Sequence, residues 1–374
     1  MARIMIVMVL LAFIIVACAE EPAAPPEAPV TEVTPGVPPL GTDTPEPAPP
    51  AAVTLTVMTH DSFAASEEVI RQFEIENNAQ VQFLFSGDTG TTLNRAILAG
   101  DTPLADVLYG VDNTFLSRAL EEDIFEPYES ALLAEIPEQF QLDPENRAHP
   151  VDYGDVCLNY DINYFEQAGI DPPQSLEDLL EPEYNGLLVV QNPATSSPGL
   201  AFLLTTIGVF GEDGYLDYWR GLMDNNLLVV DSWETAYYSE FSGAAGAGAR
   251  PVVVSYGSSP PFEVIYAETP IDEPSTAAVT ADDTCFRQIE FVGILRGGAN
   301  REMAEKWIDF MLSPVFQEDL PLQMFVFPVN PNAELDETFA RFLAIPERPV
   351  QVDPADIAEN RERWIQEWTQ TVLR

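Results

Sequence analysis

The run VDYGDVCLNYD at 151–161 decides the fold, together with its counterpart TCFRQIEFVGIL at 284–295. Each reads as a strand about twice the common length, long enough to cross from one domain into another. What lies before and between them repeats one grammar. VTLTVMT (53–59) reads as a strand, leading through His60-Asp61-Ser62 into a helix with Val69, Ile70 and Phe73 on one side. VQFLF (81–85) leads through Ser86-Gly87-Asp88-Thr89-Gly90 into a helix from about Thr92 that Gly100 stops. ADVLYG (105–110) leads through Val111-Asp112-Asn113 into a third. Alternating strand and helix predicts a parallel sheet with all three loops at its carboxyl edge, where open α/β folds bind ligands.

A second block follows 151–161. GLLVVQ (186–191) precedes Asn192-Pro193-Ala194-Thr195-Ser196-Ser197-Pro198-Gly199 and the helical LAFLLTTIGVF (200–210). LLVV (227–230) precedes Asp231 to Tyr238, and PVVVS (251–255) precedes Tyr256 to Phe262. Two α/β lobes joined by crossing strands place these two loop edges face to face around a cleft able to close on a small molecule. The expected boundaries are 53–152 with 292–374 for the first lobe and 153–291 for the second. A C-terminal helix is expected over about 354–373.

The amino terminus carries an address. Arg3, the apolar run Ile4 to Val16 and then Ala17-Cys18 read as a lipoprotein export signal over 1–17, with Cys18 as the lipidated residue. The run is short for a bilayer span. Glu21 to Pro50 holds 11 of the 33 prolines and almost no large apolar side chains, so 18–52 is expected to be an extended tether. The remaining chain is expected to work outside the cytoplasm, held to the membrane through Cys18.

The chain has 61 acidic residues against 16 basic ones, a net charge of −45, and Lys306 is its one lysine. Such a field repels phosphate backbones, so nucleic acid is excluded as a partner. With Cys18 lipidated, Cys157 and Cys285 remain as an even pair in an oxidising compartment, and a disulfide is expected between them rather than two buried thiols. Two histidines, His60 and His149, cannot make a His-rich metal site. The sequence contains no GxSxG, HExxH or GK[ST] motif. No metal, cofactor or catalytic residue is assigned.

The first block's loops offer carboxylates: Asp61, Asp88 and Asp112. The second block's offer rings and hydroxyls: Trp233, Tyr237, Tyr256, Phe262, Ser196 and Ser259. Carboxylates opposite π-faces suit a flat cation, and Ser196 and Ser259, before helix starts, suit a phosphate. Taken singly, an Asp or Ser before a helix is more often a cap, and an aromatic after a strand is more often core. His60 alone is more simply a packing residue than a ligand. The adjacent pair Tyr237-Tyr238 would suit ferric iron only if both hydroxyls converged, and helix neighbours point different ways.

LTVMTHDSFA (55–64), LNRAILAG (93–100) with ADVLYGVDN (105–113), VDYG (151–154), NPATSSPGL (192–200), SWETAY (232–237), VVVSYGSSPPF (252–262) and MLSPVFQEDLPLQMFVFPV (311–329) resemble the thiamine-binding proteins of bacterial ABC importers. The likeness runs from about Leu55 to RERWIQEWTQ (361–370). It implies a type II periplasmic-binding fold, a mainly parallel sheet with flanking helices in each lobe, no catalysis, and thiamine or its phosphates held between lobes for a membrane permease. By matching position, His60 and Asp61 border the ring site, and Asp88 and Thr89 face the cleft. Ser196 and Trp233 approach from the second lobe, Tyr256 and Phe262 stack nearby, and Phe325 closes the aromatic wall. Against the family pattern, His60 and Phe262 stand in place of tyrosines, Phe325 of a tryptophan, Glu67 of an aromatic and Thr89 of a glycine. A monomer without cofactor is expected. The competing readings are a receptor for a polyamine or ferric ion, and an extracellular enzyme acting on a heterocycle.

Overall fold

The computed structural model describes residues 51–374. The expected export signal, Cys18 and the tether up to Pro50 lie outside the described residues. No helix among the described residues is long and apolar enough to cross a membrane.

The first block forms β1 (Val53–Thr59), α1 (Glu67–Asn77), β2 (Ala79–Phe85), α2 (Thr89–Ala99), β3 (Val107–Asp112), α3 (Leu116–Glu121) and β4 (Phe125–Glu126). Then come β5 (His149–Asp161), α4 (Ile162–Ala168), β6 (Leu188–Gln191), α5 (Ser197–Asp224), β7 (Leu228–Val230), β8 (Val252–Tyr256), α6 (Pro261–Ile265), β9 (Thr276–Val279) and β10 (Phe286–Leu295). The chain ends in α7 (Arg301–Leu312), α8 (Pro314–Met324), β11 (Phe327–Pro328), α9 (Glu337–Arg341) and α10 (Pro354–Val372).

The two expected parallel sheets are continuous through the crossing strands, in the order β2-β1-β3-β10-β5-β8-β6-β7. β1 pairs in parallel with β2 and β3, and β6 in parallel with β7 and β8. Between them β10 and β5 run antiparallel to each other and to their outer neighbours. This is the two-lobed type II arrangement, with the crossing strands as its hinge. The sulfurs of Cys157 and Cys285 are bonded beside the β5–β10 pairing, closing a loop of sequence separation 128. On the chain-entropy account, so long a loop contributes roughly 4–5 kcal/mol. Next to it, Arg287 on β10 forks onto Asp155 of β5 at 3.0 and 2.9 Å, the geometry that makes such pairs strong.

Local chemistry sets the helix starts that face the cleft. Ser66 caps α1 by accepting the Val69 N–H, and Asp88 caps α2 by accepting that of Thr89 at 2.8 Å. The apolar run after Ser197 is buried as the first half of α5, which kinks at Gly211. On α10, Ile357, Arg361, Trp364, Trp368 and Val372 recur at helical spacing and are buried. Trp368 meets Trp219 of α5 edge-on at 5.4 Å, while the Arg361 guanidinium lies over Phe115, just before α3, at 5.3 Å. The C-terminal helix therefore packs against elements from both halves of the sheet.

Candidate functional site

A cavity of about 250 Å³ lies where the two loop edges meet. His60 to Ala64, Asp88 and Thr89 line it from one side. Ser197, Pro198, Trp233, Glu234 and Tyr238 line it from the other, with Tyr256 alongside. Glu290 lies at its base, and Gln323 to Val326 close the end. Four carboxylates border it, and neither lysine nor arginine is among the lining residues.

The lobes touch directly around this cavity. The Asp88 carboxylate accepts the Trp233 backbone N–H at 3.0 Å. Gly90 donates its N–H to the Thr195 carbonyl at 3.0 Å, and Ser197 Oγ donates to Thr89 Oγ1 at 3.3 Å. A Cβ on Gly90 would sit 2.8 Å from the Ala194 carbonyl oxygen and 3.0 Å from that of Thr195, so a bare backbone is what permits this approach. Removal from water raises the affinity of Asp88 for its proton, against the pull of its bonds to Trp233 and Thr89, of the nearby Ser196 hydroxyl and of the His60 charge.

The ring wall is built on the second lobe. Trp233 stacks on Tyr237 at 5.0 Å and 16°, and its Nε1 donates to Ser255 Oγ at 3.0 Å. Tyr238 and Tyr256 stand edge-on to Trp233, and Phe325 lies 6.1 Å from it. Tyr256 donates its hydroxyl to Gln288 Oε1 at 3.0 Å, and Gln288 Nε2 donates to Asp112 and to Ser197.

Beneath the cavity three carboxylates stand in register across adjacent strands, Asp112 on β3, Glu290 on β10 and Asp152 on β5. The Tyr109 hydroxyl donates between Asp152 (2.5 Å) and Glu290 (3.0 Å). Burial, then the neighbouring Glu290 charge, pushes Asp152 well above the usual carboxylate range, whereas His60 and the Tyr109 and Asp152 bonds hold Glu290 low despite burial. His60 Nε2 lies 3.5 Å from Glu290 Oε1. It fits because residue 110 is glycine at φ +96°: a Cβ there would lie 2.2 Å from the imidazole.

Of the residues read from sequence, His60, Asp61, Asp88, Thr89, Trp233, Tyr256 and Phe325 are brought together on the cavity. Five are not among its lining. Asp112 is fully buried and caps its own turn, accepting from Thr114 Oγ1 at 2.7 Å and from the N–H groups of Thr114 and Phe115. Ser196 is buried as the N-terminal flank of α5. Ser259 is buried against the Ser255 hydroxyl at 3.0 Å. Tyr237 sits behind Trp233, and Phe262 behind Phe325, both facing a neighbouring apolar cavity instead. Sequence reading missed Glu290, Glu234, Phe63, Ser197 and Met324, and weighed Tyr238 only as an iron ligand. Glu290 did leave a signal: a lone acid within the apolar IEFVGIL of a buried strand needs a partner.

Two lobes on a paired hinge, meeting over an acidic, ring-walled cavity, define a receptor that encloses a small solute. Residues 102–344 match the family described as bacterial extracellular solute-binding protein, and the chain belongs to that family. It is 31% identical to the thiamine-binding periplasmic protein of Escherichia coli (strain K12), over 86% of this chain and 94% of that one. It is 29% identical to the thiamine-binding periplasmic protein of Brucella suis biovar 1, over 88% and 95%. The solved structure of a periplasmic thiamin binding protein is similar with a TM-score of 0.75 at 29% identity, covering 91% of this chain and 100% of that one.

Proposed function

We propose that this protein captures thiamine in the cavity between its lobes and presents it to the permease of an ABC importer. In this reading the lobes are 53–152 with 292–374, and 153–291, and the receptor works as a monomer outside the cytoplasmic membrane, anchored by lipid at Cys18. The observation that carries it is the lining: Asp61, Asp88, Glu234 and Glu290 around aromatic faces, without a lysine or arginine. That combination favours a flat cation through charge pairing and contact with the rings. Closure removes water, and the same charges then act more strongly on the thiazolium. Phosphorylated forms bring negative charge into an acidic cavity, so unphosphorylated thiamine is the preferred ligand.

Calorimetry with thiamine, its monophosphate and its diphosphate tests this on protein freed of ligand. The expected order of affinity is thiamine, then monophosphate, then diphosphate. Absence of heat from all three rejects the reading. A ferric ligand has less support, since the Tyr256 hydroxyl is engaged by Gln288 and the Tyr237 and Tyr238 rings are perpendicular. Enzymatic attack by a thiol has less support too, since Cys157 and Cys285 are bonded to each other.

A further inference from the structure

The base of the cleft stores more acid than its surroundings can hold ionised. Asp112, Glu290 and Asp152 occupy directly opposed positions on three strands and are all buried. Like charges so placed repel, and burial strengthens the repulsion. Protons must reside among them. Tyr109 bridges two of the three and cannot neutralise either. The one basic side chain lining the cavity is His60, at 3.5 Å from Glu290.

His60 faces charge from every element around it. Glu290 approaches from β10, Asp61 follows it in the chain, Asp88 stands at the start of α2, and Glu234 comes from the second lobe. Tyr109 of β3 lies against its ring at 5.7 Å, with Asp152 of β5 behind that hydroxyl. Although burial works against the imidazolium, Glu290, then Asp88 and Asp61, hold His60 above its ordinary value.

We infer that His60 is the site's built-in counter-cation, and that it releases its proton to solvent when a cationic ligand takes its place beside Glu290. The inference rests on the thiamine reading and adds a proton to the binding equilibrium. A second positive charge within a few ångströms disfavours the imidazolium, so the imidazole proton leaves and the net charge of the site is kept. Linkage then fixes the sign. Between the lower titration point of the occupied site and the raised one of the empty site, affinity for thiamine increases with pH, by at most about tenfold per pH unit for one proton. Above that interval it is flat.

The chain has two histidines, so imidazole NMR resolves the matter directly. His60→Gln assigns the signals, and His149 is fixed between the carbonyls of Tyr128 and Val292. In ligand-free protein near pH 6.5 the His60 signal is expected at its charged position, and saturating thiamine should move it to the neutral one. Calorimetry in phosphate and in Tris should differ by the buffers' ionisation heats in proportion to the released proton, up to one. A His60 signal that stays charged, or is neutral before thiamine is added, overturns the inference while leaving thiamine binding intact. Thiamine that produces neither heat nor shift overturns the ligand reading and this inference with it.

Discussion

Asp88 reaches across the cleft to accept the backbone N–H of Trp233 at 3.0 Å, while its other oxygen caps α2. One carboxylate thus does what the sequence offered as alternatives, a helix cap and a cleft residue. It pins the ring-bearing loop of one lobe to the helix start of the other, and holds negative charge at the edge of the cavity.

Asp88→Ala removes both roles. Loss of the cap costs about 0.5–2 kcal/mol of stability. Loss of the cross-cleft bond and its charge should weaken thiamine binding by at least about tenfold, since hydrogen bonds to charged groups contribute roughly 1.5–3 kcal/mol. Calorimetry beside urea unfolding separates the two effects. Unchanged affinity would remove Asp88 from the binding site.

Gly90→Ala tests closure. Alanine is the better helix former, by up to about 1 kcal/mol in a helix interior and by less in the first turn where Gly90 sits. Its Cβ, however, meets the carbonyls of Ala194 and Thr195, backbone atoms that cannot step aside cheaply. The Cβ also comes within 3.0 Å of Phe115 Cζ in its own lobe, which offsets the helix gain. The variant should therefore keep close to wild-type stability yet bind thiamine more weakly, and small-angle scattering at saturating ligand should show a larger radius of gyration. Wild-type compaction in the variant would contradict this.

How much of this was readable beforehand depends on which force decided each position. Strand–helix alternation and the two long runs are local signals, and they gave the two-lobed fold, the crossing strands and the loops of Asp88, Trp233 and Tyr256. What a residue faces inside a loop is set by tertiary packing. In the sequence Asp112 reads as following a strand just as Asp88 does, but it is the last residue of β3, and its turn folds back so that Thr114 and Phe115 satisfy it. Glu290 was hidden for the opposite reason: it belongs to the hinge strand, and only sheet pairing brings it beneath the cavity between Asp112 and Asp152.

The tyrosine pair separates packing from contact. Tyr237 is 3% exposed and stacked behind Trp233, whereas Tyr238 is 41% exposed and faces the cavity. Tyr237→Ala should cost about 3–5 kcal/mol in unfolding experiments, as for other large buried aromatics. Tyr238→Ala should leave unfolding nearly unchanged and weaken thiamine binding several-fold. The reverse assignment of effects would mean that the ring wall turns its other side to the ligand.

Asp112 gives a pH dependence of stability with a definite sign. Burial, with the neighbouring Glu290 charge, raises its carboxyl to about 7 in spite of the bonds from Thr114, Gln288 and Phe115. In the unfolded chain the same group titrates at about 3.9. Between those values the folded state binds the extra proton, so this group's contribution to stability falls as pH rises, and it is greatest below the unfolded value. Asp112→Asn carries no charge at any pH and lacks that slope. From pH 5 to pH 8, urea unfolding of the wild type should lose about 2–3 kcal/mol relative to the variant. Parallel stability curves for the two proteins would show that Asp112 is ionised throughout, and that Thr114 and Gln288 fully offset its burial.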